Sequence, residues 1–385
     1  MPDRASGDLR FFSILSILAK ENQLTLALTA SKDQLKELGK EEYDDYVEQI
    51  TNLNISISTL VTHEISHNHF DGVFFEFYHS CQHLLDLIRF YQAKAIIIVD
   101  SVDVHFKRFE AKAKLTQLKE DFIEAESVKN NELAAYRDAD IVIVVTKEDQ
   151  TTIQSLCPNT RTIVIPNIHQ IPPFTVKKIT LPIKLLFVGG FKHAPNVDAM
   201  LFFCTEVMPL LRQHQPGIEL SIVGSSPTEQ ILSLRAPDIK VTGFVPSVTP
   251  YYKEANIIIA PLRYGGGMKG KVGEAFSFST PVITTDFGAE GFGIRPDIHF
   301  LLADSAKQYL QAIQKLINDH FFYHKIAQNA WQFIHDNYSN KKVEVIINDT
   351  FQSIKTTKTK KLTISKYIRI FTSNFVNQHI LWRFK

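Results

Sequence analysis

"NIIIAPLRYGGGMKGKVGEAFSFSTPVITT", residues 256–285, changes character three times along its length. It opens with an apolar, β-branched run and passes into a loop with a run of three glycines followed by two lysines. A helix then starts with one carboxylate, Glu274, and a second apolar run closes the stretch. Strand, glycine-rich turn, helix and strand make the repeating unit of a parallel α/β sheet. Gly265, Gly266 and Gly267 permit backbone shapes closed to other residues. Lys269 and Lys271 are point charges suited to phosphate. Glu274 follows Lys271 by one helical turn, and a carboxylate just past a phosphate site is placed to accept hydrogen bonds from both hydroxyls of a ribose. A solvated loop with a helix-capping glutamate is the plainer alternative; it leaves the order of glycines, lysine and glutamate without a reason.

The same alternation runs outward from this stretch in both directions. Apolar runs that read as strands lie at 24–28, 54–58, 72–77, 93–99, 140–146 and 162–166, then at 184–190, 218–224, 239–245, 256–262, 281–285 and 299–303. Nearly all are continuous rather than alternating, as strands covered on both faces require. Helical periodicity fills the gaps, for example over 196–213, and helices are expected near 305–318, 320–337 and 340–354. The segment "PPFTVKKITLP" (172–182) interrupts the alternation with three prolines. The reading is therefore two doubly wound, Rossmann-like domains facing each other across a cleft. The expected boundaries are 1–170, a linker at 171–183, a second domain at 184–354 and a basic tail at 355–385. Ligands of such sheets sit at the carboxyl ends of the strands, here between the domains.

Composition agrees with a globular chain. Its 385 residues suffice for two cores, and 44% hydrophobic with 22% charged residues is ordinary. A net charge of +1 gives no global reason to expect nucleic acid. The balance conceals the tail, where residues 355–385 carry eight cations and no carboxylate; without them, 34 basic residues face 41 acidic ones. Cys81, Cys157 and Cys204 are far apart and form no C-x-x-C pair, which fits a reducing, cytoplasmic setting. No apolar run reaches the length of a membrane span. The stretch "FFSILSILA" (11–19) follows Asp3 and Asp8 and reads as an amphipathic helix more than as a secretion signal.

Three further motifs carry chemistry. "KLLFVGGFKHAPNVDAM" (184–200) runs strand, Gly189-Gly190, loop and helix, with Pro195 suited to the first helical turn. Glycines there admit a ligand to the backbone, and a helix N-terminus favours an anion. "VDSVDVHFKR" (99–108) follows a strand, so Asp103 and His105 are expected at the cleft, with His105 positioning an acceptor or steadying developing charge. The alternative is a helix cap by Asp103 and an ordinary loop histidine. "HEISH" (63–67) matches the H-E-x-x-H zinc pattern formally, but a zinc site needs a helix, a third ligand and an open position. It falls in a short segment between two strands, and no metal site is expected.

Taken together, "FVGGFKHAPNVDA", "IVGSSP", "VTGFVPSVTPYYKEANIIIAPLRYGGGMKGKVGEAFSFSTPVITTDFGAEGF" and "NYS" resemble the second domain of family-4 glycosyltransferases. These are retaining, metal-independent enzymes of the GT-B fold that use nucleotide sugars. "PDRASGDLRFFSIL" and "IIIVDSVDVHFKRFEAK" resemble the family's first domain more weakly. The resemblance implies that Lys271 holds the donor diphosphate and Glu274 the donor ribose. It implies that Gly189 and Gly190 form the facing phosphate wall and that Val245 touches the nucleobase. It places an acceptor-side loop at Ser6 and Gly7, and an acceptor-binding or catalytic role at Asp103 or His105. Two positions depart from the pattern. Gly266 stands where the family often has a first glutamate, and Gly190 where an arginine often follows the first glycine. Lys192, His193 and Lys269 are the candidate substitutes; Gly266 and Gly267 stay among the donor-loop residues.

The expected activity is transfer of a sugar from a nucleotide-sugar donor to an acceptor hydroxyl with retention, in glycan, glycolipid or polysaccharide synthesis. No cofactor beyond the donor is implied. The expected partners are the nucleotide sugar, a glycan or lipid-linked acceptor, and an anionic membrane surface met by the basic amphipathic tail. A tail helix packed back on the first domain is the alternative. A catalytically inactive GT-B subunit and, remotely, a zinc hydrolase remain as other functions. A final expectation concerns Met1. A doubly wound domain begins with a strand that feeds a glycine-containing loop, and this sequence opens inside such a loop, at Ser6-Gly7, so its first strand is expected to be missing.

Overall fold

In the computed structural model, residues 6–28, 39–265, 267–367 and 370 are described. All twelve expected strands form. β1 (Thr25–Ala27) and β2 (Ser56–Ser58) pair with each other. β3 (Gly72–Glu76), β4 (Ile96–Asp100), β5 (Ile141–Val144) and β6 (Arg161–Val164) make a four-stranded sheet in that order. The second half holds a six-stranded sheet of order β12-β11-β10-β7-β8-β9. Its strands are β7 (Ile183–Val188), β8 (Ile218–Val223), β9 (Ile239–Gly243), β10 (Ile257–Ala260), β11 (Val282–Thr284) and β12 (Leu301–Leu302). Every pairing is parallel. The order reverses between β10, β7 and β8, which opens the crevice where doubly wound sheets bind ligands.

The apolar runs are continuous because helices cover both faces. β4 and β5 are buried at every position. Alternate residues feed opposite layers. Val99, Val142 and Val144 enter one core of the first half, and Ile96, Ile98, Ile141 and Ile143 enter the other. In the second half Leu185, Phe187, Ile257 and Ile259 pack on one face, and Leu186, Ile258 and Ala260 on the other.

Three features differ from the sequence expectation. The helix Asn340–Ile354, expected with the second domain, sends Val343, Ile347 and Ile354 into the first half's core beside Ile14, Ile17 and Leu18. The periodic stretch 196–213 is interrupted: helix Ala194–Phe202 passes through a π-turn at Phe203–Val207 into helix Met208–His214. "HEISH" lies between β2 and β3 but is helical, as Val61–His67. There the His63 and His67 rings stack 4.2 Å apart and the Asn68 amide donates to Glu64. Among the described residues no three His, Cys, Asp or Glu side chains come together as a metal site.

Residues 1–5, and with them Met1, lie outside the described residues. The described strands of the first half are divided into two sheets, since β1 pairs with β2 and β3 with β4. Most of the tail also lies outside. Its described part, 355–367, packs on the first half instead of standing free. The Lys360 amide donates to Asp140 (2.6 Å), Lys366 pairs with Asp86 (2.9 Å), and the Tyr367 ring meets Phe90. Among the described residues, no helix is long and apolar enough to cross a membrane.

Candidate functional site

The site forms where two helix N-termini meet. β7 ends at Val188 and leads through Gly189-Gly190 to the helix Ala194–Phe202, with Pro195 in its first turn. β10 leads through the glycine-rich loop to the helix Gly270–Ser277. The second helix puts the Lys271 ammonium over the Phe187 ring, 4.4 Å from its centroid, and 2.5 Å from Asn196 Oδ1. Asn196 Nδ2 in turn donates to the Gly190 carbonyl at 2.8 Å. A Cβ on Gly189 would stand 2.9 Å from Lys271 Nζ and 2.7 Å from Asn196 Nδ2, so only glycine leaves this approach open. The facing positions of Gly189, Gly190 and Lys271 are thus brought together as expected. Asn196 went unnoticed in the sequence, although its place one residue after the first-turn proline was a signal.

Burial pushes the Lys271 amine down to about 7, and the nearby Lys269 adds to the effect. A cation held out of water beside two helix N-termini, with an amide as its neutral partner, is poised to gain an anion. Lys269 is buried, and burial lowers its pKa as well. Its ammonium donates to the Gly267 carbonyl (2.7 Å) and pairs with Glu290 (3.3 Å). Lys269 is therefore already engaged by its own loop and by Glu290, whereas Lys192 is exposed. Val245 follows β9, half-buried against the second half's core. Gly266 lies outside the described residues. Gly267 takes a φ of 63°, and a Cβ there would stand 2.8 Å from Asp103 Cβ. The glycine loop therefore lies directly on the first half's 101–104 loop.

That loop carries the acceptor-side candidates. His105 Nε2 lies 2.7 Å from Asp103 Oδ1, and Arg108 reaches Asp103 Oδ2 at 2.9 Å. Burial raises the Asp103 carboxyl, but its contacts with His105 and Arg108 outweigh this and hold it below the usual range. Asp103 does not cap the helix His105–Thr116. Glu132 does, accepting from the backbone amides of His105 (3.0 Å) and Phe106 (2.8 Å). The His105 ring is set among Phe77, Tyr78 and His79. Across the cleft, His193 keeps surface exposure, yet the packing around its ring removes enough solvent, with the cations Arg108 and Lys271 adding to it, to push the imidazole down to about 4.

Gly7 opens the helix Ser6–Leu18, and a Cβ on it would stand 3.0 Å from Val102 of the Asp103 loop. Nothing is described of the Ser6 side chain. Beneath this contact Arg10 and Asp100 form a buried ion pair, and Arg10 also donates to the Ile165 carbonyl (2.7 Å). Burial, with Asp8 and Asp100 nearby, raises the Glu76 carboxyl to about 8, so it is protonated at neutral pH. Neither Arg10 nor Glu76 stood out in the sequence, because only the fold brings them to this edge.

Glu274 lies on the helix Gly270–Ser277, about a quarter exposed, with Oε2 3.5 Å from Nδ1 of His169.

A doubly wound sheet in the second half, facing the helix-covered parallel strands of a Rossmann-like first half across one cleft, is the GT-B arrangement. Comparison with known proteins agrees. Residues 182–319 match the family described as Glycosyl transferases group 1, which puts a glycosyltransferase domain in the second half. A Klebsiella pneumoniae protein, described as an uncharacterized 44.6 kDa protein in the cps region, is 26% identical over 189 residues. That alignment spans 46% of this chain and 48% of the relative, so the chain spans about half the length of its curated relative. Among solved structures, Anabaena HepE in complex with UDP-glucose is similar with a TM-score of 0.66 at 15% identity, over 91% of this chain and 98% of that one. Sucrose-phosphate synthase of Thermosynechococcus elongatus gives 0.61 at 16% identity, over 82% and 79%.

Proposed function

We propose that this protein is a glycosyltransferase that moves a sugar from a nucleotide-sugar donor to an acceptor hydroxyl, with retention of configuration. The observation that carries the reading is the half-buried Lys271 ammonium between two helix N-termini, open to a ligand through Gly189. In this reading the donor diphosphate displaces the amide of Asn196 from Lys271 and receives the backbone amides at both helix ends. As the glycosidic C–O bond breaks, negative charge grows on the leaving diphosphate. Fixed charges and dipoles already aimed at that place lower the barrier more than groups that must reorient. Glu274 accepts the ribose hydroxyls, and Val245 lies by the base.

The acceptor enters against the first half. His105, fixed by Asp103 and enclosed by aromatic rings, faces the reacting centre and orients the acceptor hydroxyl. Contact between Gly267 and the Asp103 loop closes the cleft and excludes water, which otherwise hydrolyses the donor. UDP is the first nucleotide to test, because the HepE structure contains UDP-glucose. The acceptor class, a glycan or lipid-linked glycan, follows from the family resemblance.

A thermal-shift panel of UDP, GDP, ADP, TDP and CMP tests the site. A ligand at about 100 times its dissociation constant adds roughly 2.7 kcal/mol, a readily measured shift. Incubation with the UDP-sugar or other donor of the winning base then tests the chemistry. Donor turnover that falls sharply in Glu274→Gln supports an enzyme; tight binding without turnover on any acceptor favours the inactive GT-B subunit.

A further inference from the structure

His169 lies in the segment that crosses from β6 to β7, and the residue is 4% exposed. Its backbone is fixed at the second crossing between the halves: its amide donates to the Tyr338 carbonyl at 3.0 Å, and it bridges to Ser339. The ring fills the space that a side chain at position 273 would occupy. A Cβ on Gly273 would stand 2.3 Å from Nε2. Yet neither ring nitrogen makes a hydrogen bond among the described residues. A buried imidazole without a partner is costly and calls for an explanation. The acidic atom nearest to hand is Glu274 Oε2, 3.5 Å from Nδ1, which is an ion-pair distance just beyond a formed hydrogen bond.

We propose that His169 is a positioning residue for Glu274. In its Nδ1-protonated tautomer it donates to Oε2 and holds the carboxylate toward the ribose hydroxyls when the donor binds. Gly273 is glycine because the ring must come this close to the helix. The contact also ties the donor site to the place where the chain crosses twice between the halves, so nucleotide binding and the relative placement of the halves share one side chain. The inference rests on the reading of Glu274 as the ribose ligand.

Two replacements separate the donor from the ring. His169→Phe keeps the shape and removes Nδ1. His169→Asn puts an amide nitrogen near the Nδ1 position. Affinity is measured by calorimetry with the tightest binder among UDP, GDP, ADP, TDP and CMP, in the wild type and in Glu274→Gln. His169→Phe is expected to weaken binding about tenfold, the scale of a charge-assisted hydrogen bond. His169→Asn is expected to recover most of that loss, and His169→Phe to have no further effect once Glu274 is glutamine. A structural role alone would act equally in both backgrounds and would not be rescued by asparagine. If Glu274→Gln weakens binding but His169→Phe does not, or if the two losses simply add, the positioning role is overturned and the donor site stands. If Glu274→Gln leaves affinity unchanged, or none of the five nucleotides binds, the ribose reading fails and takes this inference with it. Should His169→Phe fail to fold, His169→Gln, whose amide reaches toward Nε2 instead, replaces it and is expected to lose affinity where asparagine keeps it.

Discussion

Burying an ammonium group away from water beside a second cation, Lys269, makes it easier to deprotonate, and a bound phosphate reverses that. Lys271 stands at about 7 without ligand, so a donor diphosphate raises its pKa and binding takes up a proton above neutrality. The sign is fixed: below pH 7 the lysine is already charged and affinity is flat, and above it affinity falls by up to about tenfold per pH unit. UDP-glucose suits the measurement, because its diphosphate is esterified at both ends and does not titrate in this range. Calorimetry in buffers of different ionisation enthalpy reads the proton directly; affinity constant from about pH 6 to 8.5 would remove Lys271 from the phosphate. Lys271→Ala is expected to weaken a nucleoside diphosphate far more than the free nucleoside, since the charge meets phosphate and not base. Equal losses on both would move the anion site elsewhere. Glu274→Gln should leave the fold intact and cost about 1–3 kcal/mol in transfer, the loss from leaving donor hydroxyls poorly paired in a closed cleft. Wild-type turnover in that variant would end its assignment.

Among the elements, what was legible in the sequence follows from where the physics is local. A strand buried on both faces must be apolar throughout, so β4, β5, β10 and β11, buried at every position, show in their own residues. The glycine-lysine-glutamate order of 265–274 and the paired glycines at 189–190 were legible for the same reason, since turn and helix start are set by neighbours in sequence. The partners of those residues were not. Asn196 on Lys271, His169 behind Glu274 and Glu132 beneath His105 are 75, 105 and 27 residues from their partners, and no local pattern records such a meeting. "HEISH" reads in the sequence as part of a short connector because a helix of seven residues carries little periodic signal, yet Val61–His67 form two turns. The contact between elements at Gly189 can be tested directly. Gly189→Ala adds a methyl against the ends of Lys271 and Asn196, not against backbone, so the side chains yield and the sheet stays. The expected result is an unchanged melting temperature, nucleoside affinity kept, and diphosphate affinity down about tenfold, the scale of one charged hydrogen bond. Unchanged diphosphate binding would place the phosphate away from this turn.

At the scale of the whole molecule, the chain passes between its halves twice, and both passages converge near the donor helix. An amphipathic helix announces that one face is covered but not by which domain, which is why 340–354 was expected with the second half and is found in the first half's core. The basic tail raised a similar ambiguity, between a membrane surface and the protein itself. In its described part, Lys360 and Lys366 have protein partners. Lys366 pairs with Asp86 (2.9 Å) and Asp138 (3.2 Å), and Lys360 Nζ donates to the Arg137 carbonyl (2.6 Å). The strongest constraint lies deeper. Asp140 is 4% exposed, with Oδ2 held by Arg89 (2.7 Å) and by the Ile97 amide (2.8 Å), and Oδ1 taken by the amide of Lys360 (2.6 Å). Deleting residues 355–385 takes away that last donor and opens a buried carboxylate oxygen, at a cost of about 1–3 kcal/mol. For a domain of this size each kcal/mol moves the midpoint by roughly 2–4 °C. The truncated protein is therefore expected to melt several degrees lower, and Asp140→Asn in the full chain to reproduce part of the fall by weakening both the Arg89 pair and the Lys360 contact. Differential scanning fluorimetry of the three proteins decides it: a midpoint unchanged by the deletion would mean that the tail is not part of the first half's fold.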